Sequence, residues 1–275
     1  MPGEAAEGGP RVKAVIARSA VAPLFREASL RTEQVSQLAL GETGSVLAAE
    51  ESWLRVRTFT DAYEGWVHRG YVLECGEEVA RRWRAEADGW STGAEIETST
   101  GLCRLPLRAR AALEHGRVRL PDGTSGSLVH GHVLPSVELV RAARSVPVEE
   151  WAAAAFSGVR YEWGGVTDQG VDCSGLVQTA FAARGVALPR DSSAQAGAGT
   201  EVALADVVPG DLLFFSENGR GVTHVAFAAR DGCLIHSTVS CGGVLTEPWT
   251  PGHRAARLRE FFVTARRIPG AAASA

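Results

Sequence analysis

Short runs of alternating apolar and polar residues fill the first quarter of the chain. Trp53-Leu54-Arg55-Val56-Arg57 has a period of two. Ser45-Val46-Leu47 and Gly65-Trp66-Val67 are further apolar stretches between polar turns. Short strands with polar turns predict a small barrel over residues 11 to about 75. Glu77 to Ala87 is charged and helix-compatible, and reads as a connector. A weak repeat follows. Asp61-Ala62-Tyr63-Glu64-Gly65 precedes an apolar strand and a run ending Val72-Leu73, and about 60 residues on Asp122-Gly123-Thr124-Ser125-Gly126 does the same before Val133-Leu134. A repeat of that period predicts two copies of one barrel, the second over 89–142. It sets Thr124 opposite Tyr63.

The pattern changes at Pro147. Pro147-Val148-Glu149-Glu150-Trp151 and the alanines after it predict a helix start, and Gly158 its end. A second helix is expected from Cys173 to about Arg184, with Gly185 as its stop. Strands follow at Asp211–Phe215, Thr223–Ala229 and Cys233–Ser237. Helices first and antiparallel strands after predict an α+β domain over 147–268.

Composition removes several function classes. The formal charge is −4, and no basic block exceeds Arg81-Arg82 or Arg266-Arg267, so nucleic acid is not an expected partner. No apolar run approaches the ~18 residues that span a bilayer, so no membrane partner is expected. Met1-Pro2-Gly3-Glu4-Ala5-Ala6-Glu7 is acidic and lacks an apolar core, unlike a signal peptide. If Met1 is the natural start, the expected location is the cytoplasm. The five cysteines, an odd number, argue for free thiols over a disulfide framework. Cys233-x-x-His236 has no matching second pair of ligands, so neither a metal nor a cofactor is expected.

Three segments carry chemistry. In Gly164-Gly165-Val166-Thr167-Asp168-Gln169-Gly170-Val171-Asp172-Cys173-Ser174-Gly175 a cysteine opens a helix, where the helix N-terminus favours thiolate and N–H groups suit a developing oxyanion. Thr223-His224-Val225 and Ile235-His236-Ser237 supply a base and a group to orient it. The connection Arg230-Asp231-Gly232 decides whether they meet. A two-residue turn would pair 236 with 227 and set the histidines on opposite faces. A three-residue loop with left-handed Gly232 pairs 236 with 226 and makes His224 a same-face diagonal neighbour. Cys173 as a buried filler and the histidines as satisfied strand residues are the bland readings.

Taken in order, Tyr161-x-Trp163-Gly164-Gly165, Asp172-Cys173-Ser174-Gly175-Leu176-Val177, Leu188-Pro189-Arg190-Asp191-Ser192-Ser193-x-Gln195, Gly210-Asp211-Leu212-Leu213-Phe214-Phe215, Thr223-His224-Val225 and Ile235-His236-Ser237 closely resemble the NlpC/p60 family of cysteine peptidases. The resemblance covers about 147–268. It implies an α+β papain-like catalytic domain, a triad of Cys173, His224 and His236, and cleavage between D-γ-glutamyl and a diamino acid. It also implies Tyr161 near the oxyanion site, and Asp172, Ser174 and Ser192 along the substrate groove. The N-terminal half is similar to the two bacterial Src-homology-3-type barrels that precede such domains in the dipeptidyl-peptidase branch. That branch trims murein peptides with a free N-terminal L-alanine, and its first barrel caps the groove. Glu33 and Tyr63 are the candidates carried over for reading the amine; the match around Glu33 departs at Thr32 and Gln34. A murein peptide is the expected partner and peptide recycling the expected setting. A wall endopeptidase, an acyltransferase or amidase on the same scaffold, and an idle wall-binding module are the alternatives.

Overall fold

A computed structural model describes residues 13–273. Residues 11 and 12 of the expected first barrel, and Met1 to Glu7 on which the location expectation rests, lie outside the described residues.

The first unit is an antiparallel sheet of seven strands: β1 (Ala14–Ala17), β2 (Val21–Phe25), β3 (Gln34–Ala39), β4 (Thr43–Glu50), β5 (Trp53–Thr58), β6 (Glu64–His68) and β7 (Val72–Cys75), in the order β3-β2-β6-β5-β4-β1-β7. The period-two pattern is realised in β5. Leu54 and Val56 enter a core with Leu24, Leu38 and Val67, while Arg55 and Arg57 face water. Each such burial contributes about 1.5–3 kcal/mol. Helix α1 (Glu77–Glu86) follows, anchored by Trp83, whose indole Nε1 donates to the Gly41 carbonyl at 2.8 Å.

The second unit is β8 (Gly89–Ser91), β9 (Ala94–Thr98), β10 (Gly101–Leu105), β11 (Arg110–Glu114), β12 (Arg117–Arg119), β13 (Ser125–His130) and β14 (Val133–Pro135). Its order, β10-β9-β13-β12-β11-β8-β14, is that of the first sheet with every number raised by seven. The two copies of the repeat fall on the same turn, before β6 and before β13. In each, the aspartate accepts a hydrogen bond from the N–H two residues on: Tyr63 N to Asp61 at 3.2 Å and Thr124 N to Asp122 at 2.9 Å. The residue between is left-handed in both, Ala62 at φ 57° and Gly123 at φ 88°. The shared D-x motif is therefore an Asx turn.

Helix α2 (Ser136–Arg144), absent from the sequence expectations, leads into the third unit. There α3 (Val148–Ala155) and α4 (Cys173–Ala183) pack beside a small hairpin, β15 (Val166–Thr167) and β16 (Gly170–Val171). One-turn α5 (Ser192–Gln195) follows. A six-stranded sheet completes the unit: β17 (Thr200–Val202), β18 (Leu212–Phe215), β19 (His224–Ala228), β20 (Cys233–Thr238), β21 (Gly243–Pro248) and β22 (Phe262–Arg267), ordered β17-β22-β18-β19-β20-β21. Helix α4 is the centre of the core. All of its residues but Ala182 are buried, and Leu176, Val177 and Phe181 meet Val225, Phe227 and Ile235 of the sheet. No helix among the described residues is long and apolar enough to cross a membrane.

The first sheet is bolted to the third unit by side chains. Gln37 donates to Glu162 at 3.1 Å and accepts from the Val166 N–H at 3.1 Å. Gln34 donates to the Trp163 carbonyl at 2.7 Å, and Gln178 of α4 donates to Asp61 at 2.7 Å.

Candidate active site

Asp172 caps α4, accepting from the Gly175 N–H at 2.7 Å, so Cys173 is the first helical residue. Gly175 has no room for a side chain, because a Cβ there would lie 2.0 Å from the Gly165 carbonyl oxygen. That contact lets the preceding loop cross tightly over the helix start. The Cys173 sulfur lies against the N–H groups of Val225 and of Ser174. It therefore sits at the head of β19, one residue from His224.

The histidines occupy the register that the longer loop requires. Residues 230–232 form the connection, with Gly232 at φ 66° and Asp231 also left-handed. Phe227 pairs with Ile235. The same register sets 236 opposite 226, and His224 Nε2 meets His236 Nδ1 at 2.8 Å. The line continues onto a third strand. His236 pairs with Leu245, so Glu247 is again a same-face diagonal neighbour, and its Oε1 meets His236 Nε2 at 2.8 Å. Arg254 closes the series, its Nε donating to Glu247 Oε2 at 3.1 Å while its Nη2 donates to Oε1. These side chains lie on the sheet face covered by Trp249 and Leu258, opposite to the face that α4 packs on. Sulfur and imidazole thus approach the end of β19 from two sides. Among the described residues no hydrogen bond joins the thiol to His224 in this resting arrangement. Catalytic contacts commonly tighten only when substrate arrives.

Burial decides the protonation of the pair. It pushes the Cys173 thiol up to about 12, with the neighbouring Asp172 carboxylate adding to the rise. It pulls His224 down to about 3, with His236 as the next cause, and His236 to about 4, helped by Arg254. The expectation that the helix N-terminus leaves the thiol acidic is therefore corrected. Desolvation outweighs the helix dipole, and the resting pair is a neutral thiol beside a neutral imidazole. Such a pair can pass a proton from sulfur to nitrogen as sulfur attacks.

A cavity of about 270 Å³ opens over Cys173. Tyr161, Asp172, Ser174 and Ser192 line it from the third unit, Glu33 and Tyr63 from the first sheet. The Tyr161 phenol, held protonated by burial, has no hydrogen-bond partner among the described residues. Asp172 is fully engaged: besides capping α4 it accepts from the Gly164 N–H at 2.8 Å and from Arg190 Nη2 at 2.6 Å. Its geometry is that of a shaping residue of the wall. Ser174 accepts from Arg190 Nη1 at 2.8 Å. Glu33 is paired with Arg26, its Oε2 accepting from Nε at 2.8 Å. Tyr63 donates to Asp191 at 3.2 Å, across the junction between first sheet and third unit.

Sequence reasoning singled out none of Arg190, Asp191, Trp163 or Glu247 as site residues. The first three lie inside the quoted motifs and line the cavity. Asp191 is exposed at its surface, yet desolvation by the surrounding wall raises its carboxyl, with Arg190 opposing. Of the described residues, no group of three or more His, Cys, Asp or Glu side chains is arranged to hold a metal.

Comparison with known proteins decides the family. Residues 158–261 match the NlpC/P60 family, and 24–70 match the bacterial dipeptidyl-peptidase Sh3 domain. The gamma-D-glutamyl-L-lysine dipeptidyl-peptidase of Bacillus subtilis is 31% identical over 231 residues, covering 74% of this chain and 71% of that one. The chain belongs to the NlpC/P60 family of cysteine peptidases. The protein of the same name from Bacillus cereus is 32% identical over 60% of this chain and 50% of its own length. In fold, the chain is similar to the crystal structure of a NlpC/P60 family protein from Bacillus cereus, with a TM-score of 0.71 at 21% identity over 92% of this chain and 99% of that one. The third unit is thus a papain-like NlpC/P60 domain and the N-terminal unit a Src-homology-3-like domain.

Proposed function

We propose that this NlpC/P60 peptidase hydrolyses the bond between D-γ-glutamate and the diamino acid in murein peptides that carry a free N-terminal L-alanine. One observation carries the reading. Glu33 and Tyr63 of the first sheet line the same cavity of about 270 Å³ as Cys173, so the sheet walls one end of the groove. The relative named gamma-D-glutamyl-L-lysine dipeptidyl-peptidase supports the choice of bond. The second sheet, with its identical strand order, is read as a second barrel of the same type.

The Cys173 sulfur attacks the γ-carbonyl as His224 takes its proton. The oxyanion is met by the α4 N-terminal N–H groups and the Tyr161 hydroxyl. Collapse breaks the C–N bond, and His224 returns the proton to the leaving amine. Water then attacks the thioester, with His224 again as base, and frees the dipeptide. No cofactor enters these steps. At the walled end an ammonium needs an acceptor. Glu33 already holds Arg26, so Asp191, whose side chain accepts only from Tyr63 among the described residues, is the freer carboxylate. A cytoplasmic place in peptide recycling completes the proposal.

The test is incubation with L-Ala-γ-D-Glu-diamino acid, its N-acetylated form and intact peptidoglycan. Free diamino acid from the first, and little from the other two, is the expected result. Efficient lysis of intact wall would overturn the cap in favour of a general endopeptidase. A new amide would mean transfer, and binding without turnover an idle module.

A further inference from the structure

We propose that Glu247 is a positioning residue that sets the tautomers of both histidines, so that Nδ1 of His224 is left as the unprotonated nitrogen facing the thiol. The inference rests on the reading of Cys173 as nucleophile and His224 as base, and deepens it. It starts from the outer end of the hydrogen-bonded line, where the protons are unambiguous. Arg254 is a donor at every attainable pH and has no acceptor atom. Two of its nitrogens point at the two oxygens of Glu247, so both oxygens act as acceptors and the carboxylate is ionised. Glu247 Oε1 also lies 2.8 Å from His236 Nε2, and an acceptor can meet that nitrogen only if it carries hydrogen.

The remaining steps follow by alternation. His236 is only 2% exposed, and the adjoining Arg254 charge disfavours a second positive group there. A neutral ring with hydrogen on Nε2 presents a lone pair at Nδ1. That lone pair is 2.8 Å from His224 Nε2, which must then be the donor. His224 is also buried and neutral, so its own lone pair sits on Nδ1. The lone pair is thereby left on the nitrogen that is not engaged with His236 and stays available to sulfur. When His224 takes the thiol proton, His236 Nδ1 still accepts from it and the Glu247 charge lies one ring further on. The same pattern explains why a buried Glu stands in β21. At 8% exposure an ionised carboxylate is costly unless it is paired, and here both neighbours pair it.

Replacing the carboxylate by an amide removes the determinant. In Glu247→Gln one position must be an NH₂. Both oxygen positions face Arg254, so either placement sets the NH₂ against a guanidinium donor; at the Oε1 position it also faces His236, which inverts the alternation and puts hydrogen on the wrong nitrogen of His224. The primary experiment is ¹⁵N–¹H long-range correlation on the full-length wild type labelled at histidine. Both His224 and His236 are expected as neutral Nε2–H tautomers near neutral pH. A wild-type His236 carrying hydrogen on Nδ1 overturns the proposal without recourse to any variant. In Glu247→Gln the His236 signal should move toward Nδ1–H, and alkylation of Cys173 by iodoacetamide, followed by peptide mass, should slow about ten-fold. With the tripeptide, kcat should fall about 10- to 100-fold with KM within about two-fold, less than the full ~10²–10⁴ of a positioned base. Glu247→Asp should recover part of the alkylation rate. A lower melting temperature with unchanged tautomers and alkylation would reduce Glu247 to a structural role and overturn the proposal. Failure of the wild type to cleave the tripeptide would overturn the substrate reading alone, because tautomers and alkylation need no substrate.

Discussion

The two walls of the cavity are built differently. On the peptidase side the working groups are buried and held in a fixed order, from Cys173 at the head of α4 through His224, His236 and Glu247 on three adjacent strands. On the side of the first sheet the groups are partly exposed: Tyr63 meets Asp191 across the junction, and Arg26 pairs with Glu33 within the first unit. Buried, over-determined geometry suits chemistry, where small displacements cost rate. Exposed pairs are exchangeable and suit selection among substrates. Substitutions on the first wall should therefore act on kcat, and on the second wall on KM and on the preference for a free amine.

The strongest challenge to that division lies at the nucleophile and base. Cys173→Ala should abolish turnover with the fold intact, and His224→Ala should come close to it. His236→Asn should retain more activity than His224→Asn. An asparagine at 236 still offers an oxygen to His224 Nε2–H and an NH₂ to Glu247, which preserves the polarity of the line. Single-turnover release of the diamino acid measures all of these, and equal loss in the two histidine variants would break the proposed division of roles.

The pH dependence comes next in size. His224 is pulled to about 3 and His236 to about 4, so both remain neutral well below the ordinary histidine value of about 6.5. The acid limb of kcat/KM should accordingly lie well under pH 6.5. The same shifts fix the sign for stability. Below about 6.5 the unfolded histidines bind protons that the folded ones refuse, so the stability they contribute is complete above that pH and is lost as pH falls toward 4 and 3. Urea titrations between pH 7 and 4 should show a falling midpoint, and a rising one would contradict the burial of this pair.

Smaller effects belong to the sheet wall. Tyr63→Phe should raise KM for the free-amine tripeptide by about 0.5–1.5 kcal/mol of lost hydrogen bonding, with kcat little changed. Glu33→Gln should cost less, roughly 1 kcal/mol at most, because its carboxylate is exposed and shared with Arg26. Thr124→Ala serves as the control. It occupies the turn of the second sheet that corresponds to Tyr63 in the first, and should stay within about 0.5 kcal/mol of wild type in both stability and KM. If Tyr63→Phe is as silent as Thr124→Ala, the sheet wall does not read the substrate.

The legible parts of the molecule were those with a local signature. Period-two alternation located β5, the D-x turn marked the repeat, and the parity argument at Arg230-Asp231-Gly232 required the register that brings His224 to His236. Glu247 had no such mark. A single acid between Thr246 and Pro248 acquires meaning only once a third strand's register is known, and that register is set by the turn at 239–242, which carries no motif of its own. Arg190 was passed over because arginines are rarely buried, and its burial depends on Asp172 and on Ser36 from another unit. The acidity of Cys173 was misjudged for a related reason. A helix N-terminus is visible in sequence, whereas the desolvation that overrides it is a property of the assembled site.

Gln37 gives one hydrogen bond to Glu162 and takes another from the Val166 N–H, so the loop leading to Cys173 is held from outside its own unit. Its rigidity is therefore a shared quantity. By thermodynamic reciprocity, whatever free energy the docked sheet spends in ordering that loop for a substrate, the substrate returns in holding the sheet in place. The N-terminal unit and the peptide ligand are then cooperative partners in a linkage, each raising the other's affinity for the catalytic unit by the same factor.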